Sequence, residues 1–242
     1  MTTPATPVLE LEGIEKRYQG LRPLRLQSLT IAAGERVAVL GVDAAAAEVL
    51  VNLVTGASVA DRGVVRVLGR DNAAISDGDD WLASLDRFGI VSPRAVLLEA
   101  ATLEQNLAMP FTLQIDPVEP ETARRVAALA AACGLGEGGA GQAATLRQLA
   151  GEISPEQRAR AHLARAIAIG PALLVLEHPT ADLPDPAVRA YAADVVAVAE
   201  AHRQAMLVLT QDQAFAQQVA HRALKWNPAT GGLTPVRRGW FS

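Results

Sequence analysis

The stretch from Gly34 to Gly56 constrains the fold more than any other part of the chain. Arg36-Val37-Ala38-Val39-Leu40 is an aliphatic, β-branched run between Gly34 and Gly41, too short for a helix. It reads as a buried strand. Beyond a short loop, Val49, Leu50, Leu53 and Val54 recur at spacings of three and four before Gly56, the mark of a helix with one apolar face. A strand, a tight loop and a helix in that order open an α/β core.

A loop in this position cradles phosphate when it reads GxxxxGK[ST]. Its glycines let backbone amides turn inward, its lysine reaches the phosphates and its hydroxyl holds magnesium. With Gly41 as the first glycine, Ala46 falls at the second, Ala47 at the lysine and Glu48 at the hydroxyl, followed by Val49. The replacement sequence makes a good helix start. Asp43 is a preferred N-cap, the alanines from Ala44 to Ala47 have the best helix propensity, and acidic groups near the first turn, Asp43 and Glu48, complement the dipole. These features predict a helix that begins near Ala44, its amides satisfied internally, and a loop that is closed over.

Other landmarks lie in a recognisable order. Leu9 to Tyr18 is an opening strand with a terminal aromatic, Thr55-Gly56 precedes Gly63-Val64-Val65-Arg66-Val67-Leu68-Gly69, and Leu103 to Pro110 leads into a helix-rich stretch. Arg158 to Pro171 contains Ala164-Arg165-Ala166, and Ala172-Leu173-Leu174-Val175-Leu176 is a second aliphatic run. From about Leu9 to Leu233 the chain resembles the ATP-binding cassette subunits of ABC transporters. The resemblance implies a P-loop NTPase core of RecA-like α/β type, with an antiparallel β subdomain and an inserted α-helical subdomain. It also implies one cassette domain over residues 1–242, with the core at about 9–95 and 172–235 and the helical subdomain at about 100–170.

The resemblance assigns functional positions one at a time. The adenine-stacking aromatic falls on Tyr18, and the glutamine that follows the fourth strand falls on Pro93. The signature Leu-Ser-Gly-Gly-Gln falls on Ile153-Ser154-Pro155-Glu156-Gln157, so that Ser154 and Gln157 match while Pro155 and Glu156 depart. The Walker B aspartate falls on Glu177, the general-base glutamate on His178, the aspartate of the next loop on Pro184 and the switch histidine on Gln211. No catalytic position is expected intact and no metal site is expected. Phosphoryl transfer depends on positioning and charge stabilisation, so each lost group removes a contribution on the order of several kcal/mol. Replacing a lysine by Ala47 and a hydroxyl by Glu48 also makes the pocket about two charges more negative, against an anionic nucleotide.

Some of these residues have plainer readings. Ser154-Pro155-Glu156-Gln157 is a capping box with proline at the first helical position, which reads either as a helix cap without a ligand or as a weak contact by Ser154 to a phosphate on the opposite subunit. His178 could transfer a proton near neutral pH, yet nothing beside it would position a phosphate. His162, His202 and His221 fall in stretches that read as helical and without ligand spacing, so packing or solvent-facing roles are expected. Tyr18 fits either adenine stacking or a structural role at a strand end.

The chain has 242 residues, 50% hydrophobic and 20% charged, enough for a sizeable core that rests on aliphatic side chains because only 4% are aromatic. A net charge of −4 gives no case for nucleic acid as partner. The lone Cys133 excludes an internal disulfide, and no apolar run reaches the roughly 18 residues of a membrane span. A cytoplasmic location is expected, peripheral to the membrane where a partner holds the chain. Asp71 to Asp80 reads as a polar loop, Pro117 to Gly134 as a helix starting near Pro120, and Gly134 to Gly141 as a flexible link. Ala187 to Arg203 reads as a helix, Ala205 to Leu209 as a strand, and Asn227 to Gly232 as a hairpin turn. The tail from Val236, with Arg237, Arg238, Trp240 and Phe241, reads either as a docking element or as a cap on the sheet.

Three functions fit these observations. One is a non-hydrolysing cassette that pairs with another cassette, or with itself, and holds a transmembrane subunit of a transporter. The second is an ABC ATPase with residual activity through an atypical site. The third is a free scaffold or regulatory protein. ATP and Mg2+ are implied by the resemblance alone, and neither is expected to bind tightly.

Overall fold

A computed structural model describes residues 6–20, 22–75, 77–136 and 140–236. The tail residues Arg237, Arg238, Trp240 and Phe241, and part of the expected link at 134–141, lie outside them. The first half runs β1 (Leu9–Lys16), β2 (Leu24–Ile31), β3 (Arg36–Leu40), α1 (Ala44–Val54), β4 (Arg62–Val67), β5 (Arg70–Asp71), α2 (Gly78–Leu85) and β6 (Phe88–Val91). It is followed by α3 (Leu103–Ala108), α4 (Pro120–Ala132), α5 (Ala140–Leu146) and α6 (Pro155–Ile167). The last part comprises β7 (Leu173–Glu177), α7 (Asp185–Ala201), β8 (Ala205–Thr210), α8 (Gln213–Val219), β9 (Arg222–Trp226) and β10 (Leu233–Pro235).

Two sheets result. The smaller has the order β2-β1-β4-β5 and its pairs are antiparallel. The larger has the order β10-β9-β3-β8-β7-β6, and every pair in it is parallel except β10 with β9. Side chains alternate across a strand, so one run of aliphatics can feed two cores. In β3, Val37 and Val39 join an apolar cluster with α1 and the antiparallel sheet, whereas Ala38 and Leu40 join a second cluster with the helices of the opposite layer. β7 and β8 divide in the same way, Leu173, Val175 and Leu207 on one side and Leu174, Leu176 and Val208 on the other. This is why these strands read as unbroken apolar runs.

The helical layer sits close to the sheet. A Cβ on Gly89 of β6 would lie 2.2 Å from the Ala166 carbonyl oxygen, so glycine there sets how near α6 can approach. Tyr191 and Phe215 stack with their ring centroids 6.0 Å apart between α7 and α8.

Several sequence expectations need correction. Asp71 to Asp80 is not a plain loop: Asn72–Ala74 forms a 3-10 turn and α2 begins at Gly78, because Asp77 caps the amide of Asp80. His221 lies in the turn between α8 and β9, outside any helix, where its Nδ1 accepts from the Arg36 amide at 3.2 Å. His202 is the C-cap of α7. That helix starts two residues earlier than the apolar pattern suggests, at Asp185, since Pro186 is tolerated in the first turn.

Candidate functional site

The expected positions on the strand-end loops gather at the carboxyl ends of the parallel strands. β3, β6, β7 and β8 end there at Leu40, Val91, Glu177 and Thr210. In open parallel sheets this edge is where ligands bind. Ala44, Pro93, His178, Thr180 and Gln211 line a shallow recess of about 400 Å³. Beside it lies a tighter cavity of about 260 Å³ between the loop after β6, the end of β7 and the start of α6, lined by Pro93, Glu177, His178 and Pro155 among others.

The loop at 41–49 is short because α1 begins early. Gly41 takes the left-handed φ of 84° that the sharp exit from β3 requires, and its amide donates to the Thr210 carbonyl. Asp43 Oδ1 then accepts from the Ala46 amide at 2.8 Å and the Asp43 carbonyl from the Ala47 amide at 2.9 Å. Ala46 and Ala47 are 0% exposed and pack into the apolar cluster beneath the helix, while Val49 is half-buried against it. The position of the phosphate lysine therefore faces the core.

Glu48 does not behave as expected. It is the fifth residue of α1, and the helix has no acidic residue in its first turn, so Asp43 alone caps it. The Glu48 carboxylate instead lies 3.6 Å from Arg94. Arg94 is the residue that sequence reasoning missed. Its Nη1 and Nη2 donate to the two oxygens of Glu177 at 2.6 and 2.8 Å, and Ser92 Oγ donates to the same carboxylate at 2.8 Å. Glu177 is 1% exposed, and these internal donors pair its carboxylate. Arg94 returns one positive charge to a pocket whose loop sequence predicts only added negative charge. The available signal was an arginine directly after Pro93, the position that the resemblance had already made conspicuous.

His178 adopts a left-handed φ of 43°, donates its amide to the Leu209 carbonyl at 2.8 Å, and leaves Nε2 buried without a partner. Gln211 is exposed, and the adjacent Asp212 caps α8 through Phe215 and accepts from Thr180 Oγ1 at 3.1 Å. Pro184 is the N-cap residue of α7 and makes no side-chain cap.

At the start of α6, Ser154 Oγ accepts from the Gln157 amide and Gln157 Oε1 from the Ser154 amide, which completes the reciprocal capping box with Pro155 at the first position. A hydrogen bond from Ser154 holds the Glu156 carboxyl below its usual range. Within the same helix, burial, helped by Arg165 and Arg158, pushes the His162 imidazole down to about 4, so it is neutral at pH 7. Pro155 reaches the cavity beside Glu177, but Ser154, Glu156 and Gln157 do not line it. Tyr18 lies on the extension of β1, half-buried on the antiparallel-sheet cluster and near the loop, its phenol raised by burial and by the charge of Asp43.

The amides of Ala46 and Ala47 are already taken, position 47 points inward, and the carboxylate at the Walker B place is held by Arg94 and Ser92. Among the described residues no group of three or more His, Cys, Asp or Glu side chains is arranged for a metal ion.

The parallel sheet with its strand-loop-helix entrance, the antiparallel sheet beside it and the helical layer define a P-loop NTPase fold of the ATP-binding cassette type. The ABC transporter family model matches residues 24–181, and the chain belongs to that family. It is 28% identical over 216 residues to the lipoprotein-releasing system ATP-binding protein LolD of Alcanivorax borkumensis, covering 88% of this chain and 91% of that one. It is 32% identical over 183 residues to LolD of Anaeromyxobacter dehalogenans, 74% of each chain. It is also 32% identical over 223 residues to the Fe(3+) ions import ATP-binding protein FbpC of Serratia marcescens, covering 88% of this chain and 59% of the relative. Among solved structures, a dimeric ATP-binding cassette in a post-hydrolysis state with ADP and Pi superposes with a TM-score of 0.76 at 18% identity, covering 96% of this chain and 100% of that one.

Proposed function

We propose that this chain is a cassette subunit of a membrane transport system that does not hydrolyse ATP itself and serves a structural or regulatory role. The observation that carries the reading is the start of α1, where Asp43 caps the amide of Ala46 and position 47 is buried as alanine. A phosphate loop needs free amides, a lysine and a metal-binding hydroxyl; here the Ala46 and Ala47 amides have internal acceptors, the lysine position is Ala47 and the hydroxyl position is Glu48. Loss of any one member of such a set removes most of the catalysis, since the members act as a unit.

The partners of this reading are a transmembrane subunit and a second cassette, either another chain or a copy of this one. The loop after β6 supports a docking face, with Val96 71% and Leu98 52% exposed. No described helix is long and apolar enough to cross a membrane, which is consistent with a chain held at the cytoplasmic face by its partner. Nucleic acid has no place in it. A calorimetric titration with a non-hydrolysable ATP analogue and Mg2+ tests the proposal. No binding up to millimolar analogue, together with co-purification of a membrane subunit, is the expected result. Affinity in the micromolar range would overturn it.

A further inference from the structure

The loop from Ser92 to Thr102 connects β6 to α3 and carries two bare apolar side chains, Val96 and Leu98. Surface loops that carry function are ordinarily the mobile parts of a fold. This one is tied down along its length. At its far end Asn106, 0% exposed, donates from Nδ2 to the Leu98 carbonyl at 3.0 Å and accepts at Oδ1 from the Leu98 amide at 2.8 Å. In the middle, Arg165 Nη1 donates to the Val96 carbonyl at 2.6 Å. Both ties lead to helices, α3 and α6. At the near end Ser92 and Arg94 bind Glu177, the last residue of β7 in the central sheet.

We propose that Arg94 is a built-in latch. Its guanidinium supplies the positive charge that Glu177 requires, so the loop presents Val96 and Leu98 in one posture whether or not nucleotide is present. The inference rests on the reading that this pocket does not take up Mg-ATP. A bidentate pair on a buried carboxylate fixes direction as well as distance, because the two donors of the planar fork must both stay aligned. The backbone amide of Arg94 also donates to Ser92 Oγ at 3.2 Å, and the Ala95 amide to the Ser92 carbonyl at 3.0 Å, so the latch and the turn it closes share atoms. Glu48 adds a second carboxylate 3.6 Å from the same guanidinium, on the helix that would otherwise face phosphate. The latch thus joins β7, α1 and the loop.

Hydrogen exchange of the full-length protein tests it, read at the amides of Ala95, Leu98 and Ala101, each of which has an acceptor here. Arg94→Ala should speed exchange at these positions by about tenfold or more while β1 and β2 stay unchanged, and Arg94→Lys should fall between. Arg94→Ala leaves Glu177 buried without its cation, so Arg94→Ala combined with Glu177→Gln provides a second variant free of that charge, expected to show the same local acceleration. Unchanged exchange in both variants would overturn the latch. In the unmodified protein, millimolar Mg-ATP should leave the three amides as they are, and a change confined to them would also overturn it. The two proposals fail separately: a protein that binds Mg-ATP while keeping these amides protected refutes the function reading alone. One that binds none, yet shows no acceleration in the variants, refutes the latch alone.

Discussion

A double-mutant cycle on Arg94 and Glu177 measures whether their contact is an energetic centre of the recess or an ordinary surface pair. The Glu177 side chain is 2% exposed and that of Arg94 44%, with bonds of 2.6 and 2.8 Å between them. Removing one partner of a fully buried pair costs about 3–5 kcal/mol. Water reaches Arg94, so Arg94→Ala should cost less, about 2–3 kcal/mol, with Ser92 Oγ as the remaining donor to the carboxylate. Glu177→Gln keeps the shape and leaves Arg94 the option of water and Glu48, for about 1 kcal/mol. The double variant buries no charge, and the coupling energy should be about 2 kcal/mol. Urea unfolding at pH 7 with unchanged slope supplies the four values. Arg222 and Glu35 form the internal control: they are also 2.6 Å apart, but on the surface, with 45% and 23% exposure. Their coupling should stay near 0.5 kcal/mol. If the Arg94–Glu177 coupling does not exceed that of the control pair, burial of Glu177 is not what gives the contact its strength, and the argument fails.

Three further outcomes follow from the site. Restoring the loop motif by Ala47→Lys, alone or with Ala46→Gly and Glu48→Ser, should destabilise by several kcal/mol because position 47 is 0% exposed in an apolar cluster; a variant as stable as the parent and further stabilised by Mg-ATP in a thermal melt would contradict the inward-facing geometry. Asp43→Ala should cost about 1 kcal/mol through loss of the α1 cap, and spectrophotometric titration should show the Tyr18 phenol moving down once the Asp43 charge is gone, though burial keeps it raised. His162 is held near pKa 4 against an ordinary value of 6.5, so the unfolded chain binds the proton first. Its contribution is fully present above pH 6.5 and is lost as pH falls toward 4, about 1–2 kcal/mol after discounting for its partial exposure. His162→Gln should flatten the stability profile in that window, and parallel profiles for the two proteins would refute the assignment.

How far sequence carries the structure depends on the range of the interaction involved. β3, β7 and β8 are legible because their runs are apolar without a break on both faces, with the polar Arg36, Glu177 and Thr210 falling at the strand ends, and α1 because its apolar face repeats at helical spacing. The caps at Asp43 and Ser154 are legible for a related reason, since each bonds an amide three residues ahead and needs nothing from the rest of the fold. Glu48 shows the limit of local reasoning: its role turns on whether it sits in the first or second turn, and there it meets Arg94 rather than the dipole. Arg94 and Glu177 are 83 positions apart and meet only because β6 pairs with β7 in the central sheet. Nothing in the sequence near either residue specifies that pairing.

The replacements at the strand ends are compensated in a way that piecemeal loss of ligand groups does not produce. Removing a phosphate should leave orphaned amides at the helix it touched, and removing a cation should leave a bare buried carboxylate, each costing about 1–3 kcal/mol or more. Instead Asp43 takes the amide of Ala46 and Arg94 covers Glu177. Of the three buried side-chain atoms without partners among the described residues, His178 Nε2 alone lies at this edge, in a residue with left-handed backbone. An internal partner stabilises the folded chain at all times, whereas a ligand does so only when bound. The one orphaned nitrogen then marks where the compensation is incomplete, at the position that the resemblance assigns to the general base.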